Sequence, residues 1–226
     1  MDNLFIQHLV DSDRRVYYFS WIFVVIISIV LHELGHGWMA LRLGDPTPRI
    51  QGRMTGSPLV HMGPISLAAL CLTGMAWGLM PIDPSRLKGR YGEAKVALAG
   101  PAINVGLAGI GLLGGVIWLR IAGELPEAGT TAKRGFDLLW MFTSLNVLLV
   151  IFNLIPAPPL DGSHILANIH KGYADLISSD GFRSIGFLPF IAAFLLIGYL
   201  IDPIMGGTLQ VLSQLSGVGL EMVQVY

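Results

Sequence analysis

The chain has 226 residues, of which 53% are hydrophobic and only 13% charged, with a mean hydropathy of +0.65 and a formal net charge of −1. A soluble domain carries roughly 25% charged side chains, so this composition excludes a disordered chain, a coiled coil and a soluble globule. Fourteen Lys/Arg against 15 Asp/Glu leave no basic field for nucleic acid, and the single cysteine, Cys71, can form neither an internal disulfide nor a thiolate metal site. The expected fold is all-α, a polytopic membrane bundle of about five to six transmembrane or membrane-embedded helices.

The first fifteen residues hold Asp2, Asp11 and Asp13, with Arg14 and Arg15 at the edge of the first apolar run. No basic segment precedes a short apolar stretch and no small-residue cleavage site follows, so the first helix reads as retained. That run, Val16–Leu31, is 16 residues long and stays apolar past two histidines to Leu41. Met62–Ile82 gives 21 residues, Val96–Leu119 24 and Leu138–Leu160 23, each reaching the length of a bilayer crossing. Ser184–Ile201, with 18, is marginal. Pro203–Leu220 also has 18 but carries Gln210, Ser213, Gln214 and Ser216, so it reads as an interfacial or packing helix.

Gly44-Asp45-Pro46, Pro81, Pro84 and the stretch Gly123 to Gly135 punctuate short connections, leaving no room for a separate soluble domain. The expectation is a single integral-membrane domain over 1–226, with a catalytic core at about 16–170 and C-terminal helices at 184–226. Alternation across four spans puts eight Lys/Arg on the N-terminal side and six on the other, which favours a cytoplasmic N-terminus.

Charge inside a membrane costs roughly 2.5–3.5 kcal/mol per residue on insertion scales, so each ionisable side chain in these runs needs a reason. The first run continues as His32-Glu33-Leu34-Gly35-His36. Residues four apart share a helix face, so the two imidazoles can converge on one metal ion, and Glu33 is placed to touch a metal-bound water rather than the metal. Zinc suits two imidazoles and a carboxylate with one position open. The bland alternative, a chance match, is disfavoured by three ionisable groups within five residues of a span.

A third ligand should come from another helix. The fourth run ends Asn153-Leu154-Ile155-Pro156-Ala157-Pro158-Pro159-Leu160-Asp161-Gly162, where three prolines break the helix and free backbone groups that need burial or a wet cavity. Asp161 on that irregular backbone reads as the third ligand, against the common alternative of a helix N-cap. Asn153 reads either as an oxyanion or substrate contact or as an ordinary polar packing residue. Gly100 and Ala102 look like close helix packing, Pro101 like a kink, and Asn104 like a contact to a neighbouring helix or to substrate. His61 reads as interfacial and His164 as exposed at the break, while His8 and His170 look like surface residues.

These blocks, with Gly44-Asp45-Pro46-Thr47 and Leu98-Ala99-Gly100-Pro101-Ala102-Ile103-Asn104, resemble the site-2 protease family (peptidase M50) of intramembrane zinc metalloproteases, in its compact branch without a PDZ domain. The resemblance runs from residue 32 to about 166. It implies one zinc held by His32, His36 and Asp161, Glu33 as general base, and Asn153 in substrate or oxyanion contact. It also implies a membrane-spanning protein substrate in a lipid bilayer, and the expected location is the cell membrane of a prokaryote, as a multi-pass protein. Relatives often have Pro before the Asp-Gly pair where this chain has Leu160; the neighbouring prolines keep the break. Rival readings are a metal-ion transporter using the same three ligands transiently and an inactive scaffold of the same fold. The scarcity of other polar sites in the spans counts against the first, and the intact His32, Glu33, His36 and Asp161 against the second.

Overall fold

The structure, a computed structural model, describes residues 5–10 and 14–219; Asp2, Asp11 and Asp13 of the N-terminal reading lie outside them. Helices α1 (Gln7–Val10) and α2 (Arg15–Arg42) are followed by α3 (Thr47–Ile50), α4 (Pro58–Thr73), α5 (Gly92–Ala122) and α6 (Thr131–Asn153). The chain ends in α7 (Asp161–Ile169), α8 (Lys171–Ser178), α9 (Asp180–Ser184) and α10 (Leu188–Ser216). Four of these, α2, α5, α6 and α10, are long and apolar enough to cross a membrane. The all-helical membrane bundle expected from composition is the fold observed.

Two runs behave differently from their hydropathy. The second expected crossing is instead a 16-residue helix, α4, that ends at Gly74 in the left-handed conformation, with Gly63 also at positive φ and Pro64 beside it. The chain then returns without helix. The Trp77 amide donates to Ser66 Oγ (2.9 Å), Leu79 N–H to the His61 carbonyl (3.0 Å), and Asp83 N–H to Asp45 Oδ2 (2.8 Å). A run length counts apolar residues but not the glycines that turn the backbone, so the segment enters and comes back on one side. The last two runs, expected as separate helices, form the single 29-residue helix α10 with Pro203 inside it. Its far end is pinned at mid-bundle, where Trp140 Nε1 donates to the Met205 carbonyl (3.1 Å) and Ser144 Oγ bonds Thr208 Oγ1 (2.6 Å).

Helix α5 is the centre of the bundle, packing against α6, α2, α7 and α10. Small residues make this possible. A Cβ on Gly35 of α2 would stand 2.9 Å from the Ala99 carbonyl oxygen of α5, so the two backbones touch there. Apolar clusters close the rest: Val24, Val25, Ile29, Met62, Leu70, Met141 and Leu145 between α2, α4 and α6, and Leu119, Phe136, Leu209 and Leu212 between α5, α6 and α10. This packing holds the histidine turn of α2 against the first half of α5, with α7 on the same side.

Candidate metal centre

His32 and His36 lie one turn apart on α2, and both are buried, as is Glu33. Their Nε2 atoms are 3.0 Å apart, and Asp161 completes the group, with Oδ2 3.1 Å from His32 Nε2 and Oδ1 3.3 Å from His36 Nε2. One ligand atom from each residue lies within 4.8 Å of the others.

Asp161 arrives there because the backbone after α6 is broken, as the prolines require. Leu160 and Ala157 bury themselves against Ala193 of α10, Tyr173 donates its hydroxyl to the Pro156 carbonyl (2.9 Å), and the Pro158–Pro159 peptide is cis. Gly162 lets the chain pass close to itself: a Cβ there would stand 2.6 Å from the Ile155 carbonyl oxygen. Asp161 opens α7 as its first residue, after Leu160 in the capping position. The carboxylate turns to the histidines and not to the helix amides, so the alternative of an N-cap does not hold.

The tautomer of each neutral imidazole in the group is set by its outer partner. His36 Nδ1 donates to the Val96 carbonyl (2.8 Å), which can only accept, so in the neutral ring the lone pair sits on Nε2. His32 Nδ1 sits 2.5 Å from Asn104 Oδ1, with the same consequence. With both rings neutral, two imidazole lone pairs and a carboxylate face one another, and Asp161 Oδ2 is buried without a hydrogen-bond partner. Three donors so arranged repel until a cation stands between them, and two imidazole nitrogens with one carboxylate oxygen suit zinc. The donor set fits the metal that the sequence pattern implies.

Gly100 provides the room. A Cβ at this position would stand 2.5 Å from Nε2 of both His32 and His36, so the glycine that reads as packing from sequence is the floor of the site. Glu33 points the other way, under the returning segment: a Cβ on Gly78 would meet its Cγ at 2.8 Å. Its carboxylate makes no hydrogen bond among the described residues and lies within electrostatic reach of His36, His32, Asp161 and His61.

The other sequence candidates separate. Asn104 is fully buried and contacts His32 on the neighbouring helix. Asn153, the last residue of α6, is half-buried and donates back to the Leu149 carbonyl of its own helix (2.9 Å). His61, read as interfacial, is instead buried; Nε2 donates to the Thr55 carbonyl (2.7 Å) and Nδ1 has no partner. His164 is exposed beside Glu93 (3.3 Å), His170 caps α8, and His8 packs between Phe5 and Tyr17. A cavity of about 480 Å³ opens away from the metal group, between Thr47–Gln51 and Pro81–Arg86. Asn146, unremarked in the sequence, is fully buried and bonds Asn104; a lone asparagine in an apolar run gives no signal that separates it from helix packing.

A helical membrane bundle that brings a His-Glu-x-x-His turn and a carboxylate from a broken span to one point has the architecture of a membrane metalloprotease. Residues 20–197 match peptidase family M50, and the chain belongs to that family. It is 34% identical over 151 residues to YwhC of Bacillus subtilis, a protein bearing a zinc metalloprotease name, covering 66% of this chain and 68% of that one. A zinc metalloprotease of Methanocaldococcus jannaschii is 30% identical over 164 residues, covering 72% of this chain and 38% of its own length. Rip2 of Mycolicibacterium smegmatis, also named for zinc metalloprotease activity, is 30% identical over 165 residues, with 67% and 59% covered. The chain thus spans about two thirds of the first of these and less of the other two. No solved structure matches it.

Proposed function

We propose that this metalloprotease is a zinc-dependent endopeptidase that cuts membrane-spanning protein substrates within the bilayer. The reading takes the chain as one multi-pass membrane domain, with its catalytic core at about 16–170, in the cell membrane of a prokaryote. The observation that carries it is the convergence of His32, His36 and Asp161 at 3.0–3.3 Å inside an apolar bundle.

His32, His36 and Asp161 would hold the zinc, which supplies a Lewis acid for the scissile carbonyl and acidifies water. Glu33 takes the proton from the attacking water and delivers it to the leaving amine, so no covalent acyl-enzyme forms. Its unbonded carboxylate is free for that exchange. Asn153 faces the substrate or the developing oxyanion once its amide leaves the Leu149 carbonyl. The non-helical stretch 74–83 and the broken stretch after α6 place irregular backbone beside the site, which in a bilayer requires burial in protein or a wet cavity. That supports water reaching the centre. A substrate helix must unwind locally before its peptide bond is accessible, because its amides are shielded by their own hydrogen bonds.

Zinc content by elemental analysis of detergent-purified protein tests the reading. One zinc per chain in the wild type, lost in Asp161→Ala, is expected; stoichiometric zinc that survives the substitution moves the third ligand elsewhere.

A further inference from the structure

We infer that Asn146, on a third helix and out of reach of any metal, is a positioning residue that fixes which nitrogen of His32 can bind zinc. The inference rests on the reading of His32 as a zinc ligand. Phe142 O can only accept a hydrogen bond, and Asn146 lies 2.8 Å from it, so the atom of Asn146 facing Phe142 is the amide nitrogen. The same nitrogen reaches Ser28 Oγ at 3.0 Å. Asn146 Oδ1 must then face the other way, where Asn104 stands 2.8 Å off and has to present its own amide nitrogen. That leaves Asn104 Oδ1 toward His32 at 2.5 Å, and an oxygen there obliges His32 Nδ1 to carry the proton. Nε2 is left with its lone pair, aimed at Asp161 and His36.

Each step removes one choice. An asparagine amide can otherwise flip, and an imidazole can carry its proton on either nitrogen. Both asparagines are fully buried, so no water replaces a missing partner. Without Asn146, Asn104 can rotate and present its NH2 to His32, which then accepts at Nδ1, protonates Nε2 and loses its ligating lone pair. The device joins α2, α5 and α6 and anchors the tautomer of one ligand to the backbone of another helix. His36 needs no such chain, because the Val96 carbonyl fixes it directly.

The test is zinc affinity, measured by competition with a chromophoric chelator on the purified full chain in detergent, with helicity and thermal unfolding as checks of folding. Asn146→Leu, or Asn146→Ala if the larger side chain does not accumulate, is expected to weaken zinc binding by roughly 10- to 100-fold, the range for lost outer partners of a ligating histidine. Adding Asn104→Asp offers His32 only acceptor oxygens, whichever way the side chain turns. The double variant is therefore expected to recover affinity to near the wild-type value. A purely structural asparagine would not be rescued by a change at another residue. Folded Asn146 variants that bind zinc as tightly as wild type, or a double variant that stays weak, overturn the inference. Wild-type protein that takes no zinc, or that keeps it in His32→Ala, overturns it together with the reading of His32.

Discussion

Gly100 of α5 lies against the Nε2 atoms of His32 and His36, close enough that a single added methyl group would stand 2.5 Å from each. The two Nε2 atoms are backed by the backbone of α5, and α2 and α5 touch again at Gly35. Gly100→Ala is expected to displace both imidazoles and to lower activity by about 10²-fold, the scale of a 1 Å misplacement in an active site. Zinc content should fall with it. Gly106, on the same helix with nothing within 4 Å of its missing Cβ, supplies the control: Gly106→Ala should leave activity intact and raise the unfolding temperature slightly.

Gly78 stands to Glu33 as Gly100 stands to His32 and His36. A Cβ there meets the Glu33 side chain at Cγ (2.8 Å) and Ile29 Cγ2 (2.8 Å), not the histidines. Gly78→Ala should therefore separate metal binding from catalysis. Zinc stays at one per chain while kcat falls by about 10²-fold, consistent with a displaced general base. Loss of zinc in this variant would show that the returning segment supports the metal and not the base.

Asp45 is completely buried after α2 and ties two loops, accepting from Thr47 N–H (2.9 Å) and Asp83 N–H (2.8 Å). Burial alone would raise its carboxyl, but the hydrogen bonds from Thr47 and Asp83 outweigh that and hold it below the ordinary value. A depressed pKa in the folded state means stability that is present above the unfolded value of about 4 and lost as pH falls through the lower folded value. Asp45→Asn, which keeps one acceptor oxygen of two, should destabilise by about 1–3 kcal/mol at neutral pH. Thermal unfolding from pH 7 down to pH 3 should show the gap to wild type narrowing at the acid end.

The turn-back of 58–83 reverses the orientation that charge counting favours. With α2, α5, α6 and α10 as the crossings, Arg42, Arg49, Arg53, Arg86, Lys88, Arg90, Lys95, Lys171 and Arg183 share one side. Arg14, Arg15, Arg120, Lys133 and Arg134 share the other. The positive-inside rule then favours the N-terminal end outside and the loops that follow α2 and α6 on the cytoplasmic side. In a Cys71→Ser background, a cysteine at Gly129 should react with an impermeant thiol reagent added to whole cells, and one at Gly89 should not.

The metal group was legible because its chemistry is local. His32 and His36 are four residues apart on a helix, and Asp161 is flagged by the prolines before it. The features that escaped sequence reading depend on backbone turns or on partners far along the chain. Gly63 and Gly74 fold an apolar run back on itself, which hydropathy cannot see, and Asp202 divides a run that Pro203 does not break. Asn146 acts through Asn104, 42 residues away, and becomes visible only when α5 and α6 are packed together. Gly100 was legible as a close approach but not as an approach to His32 and His36.

Cleavage by the reconstituted protein decides whether the bundle cuts within the bilayer. Wild type and Glu33→Gln, both loaded with zinc, are placed in liposomes with a reporter containing one membrane-spanning helix, and the fragments are read by mass spectrometry. Wild type is expected to cut within the span and Glu33→Gln not at all, with equal zinc in both. Cleavage by Glu33→Gln at a comparable rate, or cuts by wild type only outside the span, would contradict that expectation.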